Sequence, residues 1–246
     1  MKTISVLNQK GGVGKTTTAH ALIGGLLERG FKVLGVDLDG QCNLSLATGA
    51  STKGATVLGV LTGELTADKA IQHTEQGDII PASPRLAKAY ALIESIAELK
   101  DALEPLQNNY DFCIIDTPPA LGIMAFNALY ASDSVVIPTK ADLYSLQGID
   151  ELTDTITAVQ QKNKRLKVAG ILLTANKSRT TLHQDVLKPL SLRVKGLNTS
   201  LFNTTIRDAI AVSEAPFFQQ SIFTYAPKAN VTEDYRAFIS ELLERL

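Results

Sequence analysis

Short runs of apolar, mostly β-branched residues recur along the chain, with helix-like stretches between them. The runs are TISVLN at 3–8, KVLGVD at 32–37, GDIIPA at 77–82, FCIIDT at 112–117, SVVIPT at 134–139 and KVAGILLT at 167–174. Several are apolar almost throughout, without alternation. Strands covered on both faces of a parallel sheet read this way. Ala19, Leu22, Ile23, Leu26 and Leu27 form a stripe at helical spacing that stops at Arg29-Gly30, a usual helix end. Leu146, Ile149, Leu152, Ile156 and Val159 form a second stripe, and Tyr235, Phe238, Ile239, Leu242 and Leu246 a third. Strand–helix alternation predicts an α/β fold: a doubly wound, mostly parallel sheet with helices on both faces, joined by right-handed crossovers. No linker, repeat or low-complexity tract interrupts it, so one domain over residues 1–246 is expected.

Composition narrows the class. The 246 residues are 45% apolar and 20% charged, which is globular and not disordered. No apolar run reaches the ~18 residues of a membrane span. The start, MKTISVLNQKGG, lacks the charged, apolar and small regions of a secretory signal. A cytoplasmic protein is expected. Cys42 and Cys113 give neither a disulfide framework nor a metal spacing, and Cys113 reads as a small core residue. His20, His73 and His183 stand in no partner pattern and read as structural. The net charge of −1 is unevenly spread: residues 1–160 carry 11 Lys+Arg against 18 Asp+Glu, and residues 161–246 carry 13 against 7. A basic last third is the footprint of a polyanion-facing surface, or of a lysine-rich solvated face.

The strongest chemical signal is LNQKGGVGKTTTAH at 7–20. A strand precedes it and a helix follows. Small residues let Gly11, Gly12, Val13 and Gly14 wrap phosphate oxygens with inward N–H groups. Lys15 suits the β- and γ-phosphates, the Thr16 hydroxyl suits Mg²⁺, and Thr17 is placed for the α-phosphate. The ordinary pattern G-x-x-x-x-G-K-[ST] requires glycine at position 9, where this chain has Gln9, and a second lysine, Lys10, precedes the glycines. Acidic residues close two other strands: Asp37 and Asp39 in VDLDG, and Asp116 in FCIIDTPP. Carboxylates at strand ends beside a phosphate loop suit a metal and an attacking water. Singly, each also reads as a cap or turn residue. Alternation along the strand is expected to put Asp37 and Asp39 on one side, with Leu38 opposite.

KGGVGKTT with its early lysine resembles the deviant Walker A loop of the ParA/MinD ATPases, a branch of the P-loop NTPases. DLDGQCN resembles DLDPQGN, and YDFCIIDTPPALG resembles YDYIIIDTPPSLG. VVIPTKADLYSLQGIDEL, GILLTANKSRTTLHQDV and SEAPFFQQSIFTYAPKANVTEDY follow the Soj-like ParA branch in order and spacing. The resemblance implies a plasmid or chromosome partition ATPase with ATP and Mg²⁺ as cofactors and slow turnover. In that family the early lysine reaches across a dimer to the partner's ATP, which would give Lys10 that role. Asp39 would orient the attacking water. Asp37 and Asp116 would organise the magnesium shell with Thr16, Asp116 through water. Asn176 would read adenine, or is a turn residue.

The resemblance further implies an ATP-bound homodimer, non-specific DNA binding on the nucleoid, and a ParB-like centromere-binding partner. Lys188, Arg193, Lys195, Arg207, Lys228 and Arg236 are the DNA candidates. No helix-turn-helix precedes the phosphate loop, which argues against operator recognition. The alternative is a MinD-like or cargo-positioning ATPase on a membrane or protein assembly. That would want a basic amphipathic tail, and the chain ends EDYRAFISELLERL; no membrane attachment is expected. Metabolic ligases of the dethiobiotin synthetase sort share the loop and fold but usually lack the early lysine. Three departures stand out: Gly40 and Cys42 replace the Pro and Gly of DLDPQGN, and IRDAIAVSEAP lacks the arginine pair of IPRNVRLSEAP.

Overall fold

The computed structural model describes residues 1–141, 143–176 and 194–246. Eight strands form one sheet in the order β3-β4-β2-β5-β1-β6-β7-β8. They are β1 (Lys2–Val6), β2 (Val33–Asp37), β3 (Gln72–Thr74), β4 (Gly77–Ile80), β5 (Phe112–Asp116), β6 (Ser134–Thr139), β7 (Lys167–Asn176) and β8 (Leu201–Arg207). Every pairing is parallel except β3 with β4. The six expected strands are all present. The polar β3 and the half-polar β8 are additions at the two edges, where one side of the ladder faces no neighbour and a continuous apolar run is not required.

Ten helices are described: α1 (Lys15–Glu28), α2 (Asn43–Ala47), α3 (Val57–Leu61), α4 (Ala67–Ala70), α5 (Glu98–Leu103), α6 (Ile123–Ala131), α7 (Leu143–Lys162), α8 (Ala211–Phe217), α9 (Ile222–Tyr225) and α10 (Asn230–Arg245). Alternation along the central strands divides them between two layers. Ile4, Val6 and Ile114 point to the layer of α1 and α10, where they meet Leu22, Ile23, Leu26, Tyr235, Phe238 and Ile239. Cys113 and Ile115 point to the opposite layer, against residues of α3, α5 and α6. In that layer Ile149, Leu152, Ile156 and Val159 of α7 cover Val135, Ile137 and Ile171. Two opposed helical layers explain why the strands read as unbroken apolar runs. The side chain of Leu146 and all of His183 lie outside the described residues.

The helix that carries the phosphate loop is fixed at both ends. At its C-terminus Gly30 (φ 84°) lets its own N–H reach the Leu27 carbonyl at 2.9 Å and that of Phe31 reach Leu26 at 3.1 Å. This is the double cap that a left-handed glycine permits. Along its length Gly25 allows close packing: a Cβ there would lie 2.3 Å from Ile239 Cδ1. A side chain at position 25 would require the tips of Ile239 and Phe223, 2.3 and 2.7 Å from that Cβ, to move.

His20, also on α1, lies beside Asn43, Ala47 and Phe217, 5% exposed, with no partner for Nε2. Burial lowers its pKa to about 4, so the fold holds it neutral. The unfolded chain takes up a proton near the ordinary histidine value of about 6.5. This stability is therefore intact above pH ~6.5 and lost as pH falls toward 4, by up to about 3 kcal/mol. His20→Leu should flatten that part of the acid-denaturation profile. Urea unfolding from pH 7 to 4 checks it, and parallel profiles for variant and wild type would contradict it.

Candidate functional site: a phosphate loop beside three carboxylates

The loop leaves β1 at the centre of the sheet, where successive crossovers run to opposite sides and open a crevice. Its path is held by side chains outside the glycines. Asn8 donates from Nδ2 to the Pro138 carbonyl (2.8 Å) and accepts the Lys10 N–H at Oδ1 (2.9 Å). Thr174, near the end of β7, donates to the Val13 carbonyl at 2.8 Å. Gly12 (φ 70°) and Gly14 (φ 88°) take the left-handed turns, which cost a Cβ-bearing residue about 1–2 kcal/mol. Gly14 caps α1 without a side-chain hydrogen bond. The first-turn N–H groups of α1 therefore point at the crevice as an anion site.

Lys15 is 7% exposed, and its Nζ donates to the Lys10 carbonyl at 3.0 Å. Burial lowers its pKa, against the opposing pull of Asp116 and Asp39. The two lysines of the motif are thus joined directly: the ammonium of one holds the backbone of the other.

Asp37 and Asp116 end neighbouring strands in register, and both are fully buried. Asp37 accepts from the Ser45 N–H (2.9 Å), the Ser45 hydroxyl (2.7 Å) and the Asp39 N–H (3.0 Å). Its pKa is still pushed up to about 6, burial outweighing the three donors. Neither oxygen of Asp116 has a hydrogen-bond partner. Its pKa lies well above the usual carboxylate range, first through burial and then through Asp37; the Thr16 hydroxyl, near it but not in hydrogen-bond geometry, and Lys15 oppose the shift. An orphaned buried carboxylate facing a threonine hydroxyl is an oxygen donor set fit for a hard cation. Among the described residues no group of three His, Cys, Asp or Glu could hold a metal alone. That suits Mg²⁺, which uses one or two carboxylates and completes its shell with phosphate oxygens and water.

Asp39 stands differently from the strand-based expectation. β2 ends at Asp37, and Asp39 lies in the following turn, half-buried. Its Oδ1 accepts the Gln41 N–H at 2.9 Å, and its carbonyl accepts the Cys42 N–H at 2.8 Å. The turn still brings Asp39 to Lys15, Asp37 and Asp116. Cys42 closes it in the left-handed conformation (φ 58°), and burial pushes its thiol up to about 11, which leaves it inert as a nucleophile.

A cavity of about 180 Å³ adjoins the loop, lined by Gly12, Gly14, Thr17, Lys140, Ala175 and Asp208 among others. Asn176 is not in its wall. Its Nδ2 donates to Thr205 Oγ1 at 3.0 Å, and its buried Oδ1 has no partner. The chain leaving β8, Arg207–Ala209, also lines the cavity; sequence reading marks this stretch for its missing arginine pair and Arg207 for DNA, not as a wall of this cavity. A larger cavity, about 690 Å³, lies where β6 and β7 begin, at Ser134 and Lys167, at the end of the sheet away from the phosphate loop.

The six basic candidates divide. The Arg207 guanidinium grips Asp234 through two bonds of 2.6 and 2.7 Å. Arg236 binds Glu28 at 2.7 Å and Glu233 at 2.5 Å. Lys228 is exposed. Lys188 and Arg193 lie outside the described residues, as does the side chain of Lys195. No described helix is long and apolar enough to cross a membrane.

Comparison with known proteins extends this site to a whole chain. A family model described as an AAA domain matches residues 1–168. The sporulation initiation inhibitor protein Soj of Bacillus subtilis is 38% identical over 250 residues, 98% of either chain. The chromosome partitioning protein ParA of Myxococcus xanthus is 38% identical over 256 residues, 98% of this chain and 88% of that one. Cobyrinic acid a,c-diamide synthase from Mycobacterium smegmatis, solved with a bound ATP analog and magnesium, superposes with a TM-score of 0.80 at 33% identity, covering 99% of this chain and 95% of its own. Likeness to Soj and ParA continues past the phosphate loop through the segments after β5, β7 and β8, and on that ground the chain belongs to the ParA/MinD family, in its Soj-like branch.

Proposed function

We propose that this chain is a magnesium-dependent ATPase in which ATP closes a homodimer that binds DNA without sequence preference. Hydrolysis, slow alone and quickened by a ParB-like partner, then reopens it. The observation that supports this most is the bond from Lys15 Nζ to the Lys10 carbonyl. Incoming β- and γ-phosphates compete for that ammonium with a stronger, charged acceptor. Drawing Lys15 away releases the carbonyl of Lys10, the residue that the family resemblance assigns to the partner's nucleotide, while Asn8 still accepts the Lys10 N–H. Binding in one active site and reach into the other are then linked through one hydrogen bond.

The remaining residues take roles that their surroundings support. Gly11, Gly12, Val13 and Gly14 supply backbone to the phosphates, and Thr17 faces the cavity beside them. Thr16, Asp37 and Asp116 would hold Mg²⁺, which supplies neutralising charge to the phosphates when bound. Asp39, the one acid of the three that is not fully buried, is placed to orient a water. Asn176 keeps an unused acceptor, the atom an adenine amino group would need. A contact there requires its Oδ1 to open onto a cavity whose wall now ends at Ala175.

For DNA, Lys228 and the lysines and arginine near residues 188–195 carry the proposal. Arg207 and Arg236 weigh less, since their carboxylate partners would have to be given up. A dimer doubles the basic surface, and avidity supplies the ATP gate without a strong site on one subunit.

Lys10→Ala should bind ATP normally and lose the ATP-dependent dimer, which sedimentation with ATP and with ADP would show. Dimers of unchanged affinity would remove Lys10 from the interface. Asp39→Ala should bind ATP and hardly cleave it. With ATP it should hold a random-sequence duplex, and with ADP it should not. Its log–log salt slope should be about −0.9 for each phosphate contacted. Absence of duplex binding in both states would transfer the switch to a protein or membrane cargo and leave the ATPase reading intact.

A further inference from the structure

Ser45 lies outside the phosphate loop, yet both of its donors face the site, while its carbonyl accepts the Ala50 N–H at 2.9 Å and the Thr48 hydroxyl at 3.0 Å. It is fully buried in α2. Its backbone N–H and its hydroxyl both donate to the same oxygen of Asp37, Oδ2, at 2.9 and 2.7 Å. The hydroxyl in turn accepts the Ala82 N–H, just beyond β4, at 2.9 Å. That second bond fixes which way the hydroxyl proton points. The other Asp37 oxygen, Oδ1, accepts the Asp39 N–H at 3.0 Å.

A carboxylate offers about four lone-pair directions, two per oxygen. Ser45 fills both on Oδ2, and Asp39 fills one on Oδ1. One direction remains, on Oδ1. Asp37 itself is fully buried beside Asp116. We propose that Ser45 is a positioning residue for the divalent cation. By saturating Oδ2 and locking the carboxylate plane, it leaves Asp37 a single acceptor direction for the cation or its water. The same hydroxyl ties that direction to α2 and to the end of β4. The inference rests on the proposed Mg²⁺–ATP reading of the site.

The test uses the full chain, with ATP and MgCl₂ as probes. Melting temperature is followed against Mg²⁺ at fixed ATP, and ATP binding is measured separately in EDTA. Ser45→Ala keeps the backbone donor and loses the hydroxyl. Partners one shell out from a metal ligand typically change metal affinity about 10- to 100-fold. The expected result is a rise of about tenfold or more in half-saturating Mg²⁺, with ATP affinity in EDTA close to wild type; the ligand-free melting temperature falls, because the buried Ala82 N–H loses its acceptor, and serves as the variant's own baseline. Ser45→Thr, which retains a hydroxyl, should restore the wild-type Mg²⁺ response. If Ser45→Ala does not fold, Ser45→Cys replaces it, with similar volume and a much weaker donor. Half-saturation unchanged in Ser45→Ala would overturn the proposal. So would an equal loss of ATP affinity in EDTA, because a purely structural role lowers both together. A wild type that melts the same with and without Mg²⁺ would remove the cation reading itself, and this inference with it.

Discussion

Negative charge crowded at the C-terminal ends of β2 and β5 is the constraint on which the site depends. Asp37 and Asp116 are side by side and fully buried, Asp39 is in the next turn, and the cation nearest them is Lys15. Like charges a few ångströms apart repel by several kcal/mol even at an effective dielectric near 20. A chain selected only for stability would place apolar residues at these strand ends. The sheet tolerates the arrangement because Asp37 is given three donors and Asp116 can remain protonated until a cation arrives. What is unfavourable among the carboxylates alone would become affinity when phosphate and a hard cation enter together.

Holding such a site requires rigid neighbours, and most of them lie outside the recognisable motif. Asn8 bridges the loop to β6, and Thr174 bridges it to β7. Ser45 bridges Asp37 to β4. The parallel sheet brings these strand ends to one level, so three unrelated segments can brace the same few ångströms. The less usual element is the turn from Asp39 to Cys42. A left-handed conformation at a residue with a side chain stores strain of about 1–2 kcal/mol. In the family pattern DLDPQGN position 42 is glycine and position 40 is proline. Here flexibility sits at Gly40 and strain at Cys42, which loosens the approach to Asp39 and stiffens the exit into α2.

Much of this was legible in the sequence, for physical reasons. Strands buried on both faces leave an apolar run that cannot be mistaken for a solvent-facing one, and all six such runs were strands. The phosphate loop is legible because few sequences other than glycine-rich ones can form it. Edge strands are not: β3 is three polar residues, and β8 needs only Phe202 and Ile206 to point inward. Asp39 was expected to continue the alternation of β2, but the strand ends two residues earlier because the Asp37 side chain captures the Asp39 N–H. Ser45 was invisible, since an isolated serine carries no signal until the fold places it against a buried carboxylate. Asn176 shows the reverse case: the resemblance assigns it adenine, and the cavity wall stops one residue short of it.

The basic last third also changes meaning once its partners are known. Arg245 donates to the Ala169 and Leu201 carbonyls, pairs with Glu241 and lies 4.1 Å over the Phe202 ring. Arg207 and Arg236 bind Asp234, Glu28 and Glu233. All three fasten α10, Arg245 and Arg207 to β7 and β8, Arg236 to the end of α1. Isolated exposed pairs contribute little, with a median of about 0–1 kcal/mol, but multidentate guanidinium contacts also restrict geometry. Since α1 begins as the phosphate loop and packs on α10 without a side chain at Gly25, any shift of α10 would be felt at Lys15. Part of the positive charge that suggests DNA therefore orients the nucleotide site from behind. Of the six basic candidates, that leaves the exposed Lys228 as the described one facing solvent for the proposed polyanion surface.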